Sequence, residues 1–407
     1  MGELVNARTA AERLGVDVRT LYAYVSRGAL RRVPGPDGRS SRYDSDELEL
    51  LARRSRPRTL PRPAASIDLV IATRVSTVTD GVVRYRGTDV LDLVKAEASF
   101  EHVADLLWRA GQLAPGDWRF PGPGEPPALP LPGRIPVLHR FAIAVAAMTG
   151  SASADSAPAT TTPDWPSSGR QVIGCLIDAG PAADRPDPAD PADPADRPDR
   201  PDRADHPVAD ATVARRLWQR WSPLPPTAAR VRALDLALVL LAEHELALST
   251  LSVRVAASAR ATPAGCLLAG LSTLSGSLHG GAARTVHDKL AAREPLVTGF
   301  GHPVHRHGDP RVAPLLEAVY DLAADQDRAL IETARRQAPR PLNVDFALGA
   351  LSYVARMPAE AATAIFAIAR VAGWIAHAAE EYDEPPLRFR GRAVRPARAG
   401  WRSPSGG

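Results

Sequence analysis

The stretches LSGSLHGGAARTV (residues 274–286), GFGHPVHRHGDPR (residues 299–311) and NVDFALG (residues 343–349) are the part of the chain around which the rest is organised. Each places a candidate proton-handling side chain in a glycine-rich setting: His279, His302 and Asp345. Glycine has no Cβ, so backbone can approach a ligand closely there. Two imidazoles and a carboxylate suit proton abstraction beside a carbonyl, because the carboxylate takes the proton and an imidazole hydrogen-bonds the developing oxyanion. For each residue taken alone, packing or capping is the alternative interpretation.

Eight sequence blocks between residues 66 and 401 follow the order typical of citrate synthases. They are YRG with DL (85–87, 92–93), SFEHVADLL (99–107), AEHELALST (242–250), the three stretches above, FAIARVAGWIAH (366–377) and RPARAG (395–400). The chain therefore resembles the citrate synthase family. The resemblance implies an all-α fold of a large and a small helical domain, with the active site in the cleft between them. It also implies condensation of acetyl-CoA with oxaloacetate, followed by thioester hydrolysis to citrate and CoA.

The composition beyond residue 211 independently indicates an all-α body, because alanine and leucine recur at helical spacing. The predicted helices include 213–221, 228–243, 248–261, 267–274, 311–338, 344–353 and 359–381. No apolar run approaches 18 residues, which argues against a membrane span. The N-terminus lacks the pattern of a signal peptide, so a cytoplasmic location is expected.

Residues 1–54 are predicted to form a separate module, followed by a Pro/Arg-rich linker (55–65) and a catalytic domain (66–407). A helix, a glycine-containing turn, a second helix and a two-stranded wing resemble the DNA-binding domain of MerR-type and excisionase-like regulators. Residues 1–62 contain 13 arginines and 8 acidic residues, a balance that attracts phosphate. The alternative is a small helical cap or a protein-contact module. The predicted DNA contacts are Arg19, Thr20, Tyr22, Arg31, Arg39 and Arg42.

The resemblance assigns roles to individual residues within the catalytic domain. Asp345 would take a methyl proton from acetyl-CoA, His279 would stabilise the enol, and His302 would protonate the oxaloacetate carbonyl. The implied oxaloacetate contacts are His244, Arg311, Arg370 and Arg395, the last reaching across a homodimer. Arg306 would contact the CoA phosphates. The small domain would span about 283–357. Residues 180–208 are predicted to form a low-complexity loop, in which aspartate recurs at every third position from Asp184 to Asp205.

No cofactor or metal is expected, because acetyl-CoA is a substrate and no tight His/Cys/Asp ligand set is evident in the sequence. The chain departs from the family at Leu241, Ser277 and Ala283, where the family often has His, Pro and Asn. These departures leave the reaction class intact but put substrate choice and rate in question. Two alternatives therefore stay open. One is a 2-methylcitrate synthase that uses propionyl-CoA, and the other is a transcription regulator whose synthase-like body senses a metabolite.

Overall fold

A computed structural model describes residues 4–14, 18, 21–22, 25, 30–35, 41–45, 47–48, 69–111, 118, 135–148, 162–180 and 212–391. The chain divides into two compact units, Met1–Ala72 and Thr73–Gly407. The candidate site lies in the second unit.

The first unit contains a short antiparallel sheet and one described helix. Strand β1 (Leu4–Asn6) leads into helix α1 (Ala7–Leu14), which ends directly before Gly15. Strands β2 (Val33–Pro34) and β3 (Ser41–Asp44) pair antiparallel, as expected for the arms of the predicted wing, and β3 also pairs with β1. Much of the predicted helix-turn-helix lies outside the described residues, so the assignment to a DNA-binding module stays a prediction.

The second unit begins with a small antiparallel sheet and continues as helices. The strands are β4 (Ser76–Thr79), β5 (Val82–Tyr85) and β6 (Thr88–Asp89), in the order β4-β5-β6. The helices are α2 (Val90–Lys95), α3 (Phe100–Trp108), α4 (Val137–Met148), α5 (Trp165–Ala179), α6 (Val213–Trp221), α7 (Ala228–Leu241), α8 (Leu248–Ser258), α9 (Pro263–Leu274), α10 (Ala282–Ala292), α11 (Val312–Leu322), α12 (Asp325–Gln337), α13 (Val344–Val354) and α14 (Glu360–Tyr382). The predicted all-α body is confirmed.

Helix α14 is the centre of this unit, because α3, α4, α5, α7, α8, α9 and α10 all pack against it. It is long and apolar enough to cross a bilayer, but 94% of its most apolar window is buried inside the protein. No other helix in the described part of the chain meets that length and composition. Gly373 brings α14 close to the end of α7, since a Cβ there would collide with the Glu243 carboxylate and the Ala242 carbonyl. A second group of helices is arranged around α13, which packs against α10 and α11, while α12 contacts α10.

Several helix bounds differ by a few residues from the sequence prediction, and one predicted helix is divided in two. Helix α5 begins at Trp165, because Asp164 accepts a hydrogen bond from the Ser167 amide and a proline occupies the first turn. The predicted helix 311–338 is in fact two helices, α11 and α12, because the backbone is extended at Ala323 and Ala324. Neither glycine nor proline marks this break, so the sequence pattern could not reveal it.

Candidate active site

Three imidazoles form the centre of the candidate site. His244 follows α7, while His302 and His305 lie on the loop between α10 and α11. The ring centroids of the three side chains are 5.0–5.1 Å apart, and the Nε2 atoms of His244 and His305 are 2.9 Å apart. Because a hydrogen bond requires one donor and one acceptor, one of these two Nε2 atoms carries a proton and the other does not.

The tautomer of His302 follows from its backbone contacts. Its Nδ1 accepts hydrogen bonds from the amides of Val304 and His305 at 3.1 and 3.3 Å. Burial, assisted by the positive charge of Arg311, lowers the pKa of His302 to about 4. The ring is therefore neutral at pH 7, and its single proton lies on Nε2. That nitrogen can donate a hydrogen bond to an oxygen bound beside it.

Arg311 is a buried cation held in position by Asp309. Its Nε and Nη2 donate to the two Asp309 oxygens at 2.9 and 2.8 Å. The second Asp309 oxygen also accepts from the Val344 amide at 3.1 Å, the first residue of α13. One carboxylate thereby fixes the guanidinium relative to the helix that carries Asp345.

Asp345 lies in the first turn of α13, next to the His302 loop. Asn343 caps this helix by accepting from the Asp345 amide, and its side-chain amide donates to the Gly301 carbonyl at 3.0 Å. The Asn343 amide also donates to the Gly299 carbonyl. Desolvation by burial raises the pKa of Asp345 to about 6, although Arg311 opposes that shift. A carboxylate with this pKa is a stronger base than an exposed one and is still largely ionised at pH 7.

Arg370, on α14, is the second buried guanidinium. Its Nε donates to the Leu241 carbonyl at 3.1 Å, and it lies 4.8 Å from the centre of the Phe366 ring. It has no ion-pair partner within the described residues. Burial lowers the pKa of this guanidinium, because the charged form loses hydration. A bound carboxylate would restore that lost solvation.

A buried charge network orders Glu243, whose negative charge favours the charged form of Arg370. Arg254 donates to His377 Nδ1 at 2.9 Å, so the His377 proton lies on Nε2, 3.3 Å from Glu243 Oε1. Arg254 also pairs with Glu380 and Glu381 at 2.8 and 2.9 Å. The network therefore fixes the Glu243 carboxylate beside His244.

His279 lies in the loop before α10, where its Nε2 is 2.9 Å from Ser249 Oγ. Burial, followed by the charge of Arg370, lowers its pKa, which keeps the ring neutral at pH 7. If Ser249 donates its hydroxyl hydrogen to Nε2, the imidazole proton lies on Nδ1. That nitrogen can then donate to a substrate oxygen.

The three-imidazole cluster has the spacing of a metal site, although the sequence showed no such ligand set. One ligand nitrogen from each of His244, His302 and His305 lies within 4.8 Å of the others. However, Arg311 and Arg370 both lower the pKa of His244, already depressed by burial, so the potential at the cluster is positive. A positive potential favours an anion over a divalent cation.

The remaining predicted site residues are Arg306, the proposed DNA contacts of the first unit, and Arg395. Arg306 is exposed on the same loop as His302. In the first unit, Arg31 is exposed, Arg42 is partly buried and Tyr22 is 51% exposed. The predicted contacts Arg395, Arg19, Thr20 and Arg39 lie outside the described residues.

Sequence reasoning missed two residues at the cluster. His305 is 3% exposed, and its Nδ1 has no hydrogen-bond partner among the described residues. The Tyr85 hydroxyl, part of the YRG block, lies 3.0 Å from the Glu243 carbonyl and buttresses the segment before His244. The histidine-rich loop was a signal for His305, but its contact with a residue 61 positions away depends on the fold.

Comparison with known proteins identifies the family of the chain. Residues 197–397 match the family model described as citrate synthase, C-terminal domain. A protein of Mycobacterium bovis named putative citrate synthase 2 is 31% identical over 352 residues, covering 78% of this chain and 86% of that protein. The 2-methylcitrate synthase 2 of Corynebacterium glutamicum is 34% identical over 184 residues, covering 39% of this chain and 48% of that protein.

Solved structures share the fold. Citrate synthase from Thermoplasma acidophilum, in a ternary complex with carboxymethyl coenzyme A and oxaloacetate, aligns with a TM-score of 0.61 at 20% identity. The alignment covers 82% of this chain and 96% of that one. Citrate synthase from Thermotoga maritima aligns with a TM-score of 0.60 at 20% identity, covering 82% and 94% of the two chains. The chain thus belongs to the citrate synthase family and is a citrate synthase-type enzyme, a transferase.

Proposed function

We propose that the protein condenses acetyl-CoA with oxaloacetate and hydrolyses the resulting thioester to citrate and CoA. The observation that carries this proposal is a single set of groups. Two buried guanidiniums, those of Arg311 and Arg370, occur with the neutral His302 imidazole and with Asp345, whose pKa is raised. Arg311 and Arg370 suit a dicarboxylate, because guanidinium forks bind carboxylates through paired hydrogen bonds. We further propose that Arg395 of a second subunit and Arg306 contribute contacts to oxaloacetate and to the CoA phosphates. No metal or cofactor is needed for these steps.

The proposed reaction begins with proton abstraction. Asp345 removes a proton from the methyl carbon of acetyl-CoA, while His279 donates a hydrogen bond to the thioester oxygen. The developing enol is stabilised by this neutral donor, which allows a carboxylate to act on a weakly acidic C–H bond. The nucleophilic carbon then attacks the oxaloacetate carbonyl carbon, and the resulting oxyanion takes the Nε2 proton of His302. The proton held by Asp345 returns to His302 through solvent, so both side chains regain their starting protonation. Water finally cleaves the thioester and releases CoA.

A second acyl donor is supported by the relatives themselves, since some are named citrate synthases and others 2-methylcitrate synthases. One methylene changes discrimination by only about 1–3 kcal/mol. The test is the ratio of kcat/KM for acetyl-CoA and propionyl-CoA at saturating oxaloacetate. We expect acetyl-CoA to be preferred, and a higher kcat/KM for propionyl-CoA would reassign the protein as a 2-methylcitrate synthase.

The rate should depend on the ionisation of Asp345. A base acts only when ionised, and burial raises the pKa of this carboxyl to about 6. The value of kcat/KM for acetyl-CoA should therefore fall about tenfold per pH unit below pH 6 and level off above pH 7. The measurement is a pH profile between pH 5 and 8. A flat profile over that range would remove Asp345 from the role of base.

His305 is proposed to position His244 for oxaloacetate, because their Nε2 atoms are 2.9 Å apart. Replacing His305 by Phe keeps the ring but removes this hydrogen bond, a loss of about 0.5–1.5 kcal/mol. We expect KM for oxaloacetate to rise by a factor of about two to ten, with kcat little changed. His307→Phe is the matched control, since His307 is exposed on the same loop. Equal oxaloacetate dependence in the two variants would exclude this positioning role.

A further inference from the structure

A second cavity, of about 540 Å³, lies outside the candidate active site. The start of the β4–β5 hairpin and the end of α3 form its walls. Three arginines face it: Arg74 before β4, Arg86 after β5 and Arg109 after α3. Its volume lies within the range of small-molecule sites and exceeds what a bare phosphate ion fills.

The positive charges of the three arginines are not balanced by acidic residues that line the cavity. Asp105 is the acidic residue of the lining, but it already accepts from Arg170 at 2.9 Å and from the Trp118 indole at 3.2 Å. Within the described chain, no ion pair involves the side chain of Arg74 or Arg109. Nearby Glu380 is held by Arg254, Thr73 and the Arg74 amide. The cavity therefore presents excess positive charge.

The Arg86 guanidinium is held in place by hydrogen bonds to the backbone. Its Nε and Nη2 both donate to the Leu107 carbonyl, at 3.0 and 2.6 Å, which anchors the guanidinium at the cavity wall. Burial lowers the pKa of Arg86, and the like charges of Arg109 and Arg74 lower it further, although Glu380 opposes that shift. Three guanidiniums that repel one another in a shared cavity are stabilised most effectively by a multivalent anion.

We propose that this cavity is a regulatory anion site that binds a small molecule carrying a phosphate or pyrophosphate group. Phosphate oxygens accept several charge-assisted hydrogen bonds at once, and planar guanidinium forks match that geometry. The remaining volume accommodates the organic part of the ligand.

The cavity is connected by hydrogen bonds to the segment that carries His244. Ser76 lines the cavity, donates to Glu243 Oε1 at 3.2 Å and accepts from the Glu245 amide at 3.2 Å. Glu245, whose φ of 55° is left-handed, also accepts from the Val78 amide at 2.8 Å. A ligand that shifts β4 therefore changes the hydrogen bonds on both sides of His244. By thermodynamic linkage, it then changes oxaloacetate affinity, and oxaloacetate changes its affinity equally.

The test is pyrophosphate binding by isothermal titration calorimetry to the full-length protein, to Arg109→Gln and to Arg293→Gln. Arg293 is a matched control, because like Arg109 it is exposed and ends a helix in the left-handed conformation (φ 57° against 56° for Arg109), but it does not line the cavity. We expect wild type and Arg293→Gln to bind pyrophosphate, and Arg109→Gln to bind at least tenfold more weakly. Inorganic phosphate and glucose 6-phosphate, titrated in parallel, distinguish a free from an organic phosphate ligand.

Melting temperatures of the variants verify folding, and Arg74→Gln repeats the test if Arg109→Gln unfolds. Failure of wild type to bind pyrophosphate, or equal binding by both variants, would overturn the proposal. The regulatory effect rests on the proposed function, so it is measured separately as a change in KM for oxaloacetate with saturating pyrophosphate. An inactive wild type would refute the proposed reaction and leave the binding result standing. An unchanged KM in an active wild type that binds pyrophosphate would refute regulation.

Discussion

Asp345→Asn is expected to lower kcat by a factor of about 10²–10⁴, which is the range for loss of a general base. The asparagine keeps the shape of the side chain but cannot accept the methyl proton. The Arg311–Asp309 pair and Arg370 remain in place, so oxaloacetate affinity should stay within about twofold of wild type, because the charge-assisted contacts proposed for it are unchanged. The measurement combines steady-state kinetics with calorimetric titration of oxaloacetate.

Asp325→Asn provides the control for this experiment. Asp325, like Asp345, lies in the first turn of a helix, but it is exposed on α12. We expect its kcat to match wild type. Near-normal turnover by Asp345→Asn, or an equal loss in both variants, would show that Asp345 is not the base.

Arg254→Met should give the largest loss of stability. Arg254 is fully buried and contacts Glu380, Glu381 and His377. Its removal leaves buried carboxylates short of a partner, which typically costs about 3–5 kcal/mol of the free energy of unfolding. Urea denaturation of the variant measures this loss.

Arg284→Met is the matched control for the stability experiment. Arg284 makes partly exposed ion pairs with Asp288 and Glu360, and such pairs are worth about 0–1 kcal/mol. A loss for Arg254→Met no greater than that of the control would mean that the buried network does not stabilise the fold. The position of the Glu243 carboxylate beside His244 would then have to depend on other contacts.

The sequence predicted the helical body where local signals were strong. Helix α6 spans Val213–Trp221 as predicted, because Thr212 caps it and its apolar positions recur at helical spacing. The order of the motifs also identified His244, His302 and Arg311. Their grouping depends on the loop that carries His302, which is held by a hydrogen bond from the Asn343 side chain to the Gly301 carbonyl. The catalytic role of His302 and the oxaloacetate-binding roles of His244 and Arg311 stay predictions.

Other features depend on contacts that no local pattern encodes. Arg254, His377 and Glu243 belong to α8, α14 and the segment after α7, and each alone reads as an ordinary polar residue in an apolar stretch. The cavity formed by Arg74, Arg86 and Arg109 likewise arises from the packing of a hairpin against a helix end. In an arginine-rich chain, residue type carries little information, so only the tertiary arrangement identifies such a cluster.

Release of free CoA from acetyl-CoA, with and without oxaloacetate, tests the central claim most directly. The full-length protein is incubated with acetyl-CoA, free thiol is followed over time, and citrate is identified by mass spectrometry. The account predicts equimolar CoA and citrate only when oxaloacetate is present. No CoA release with oxaloacetate, or release at the same rate without it, would contradict the proposed condensation.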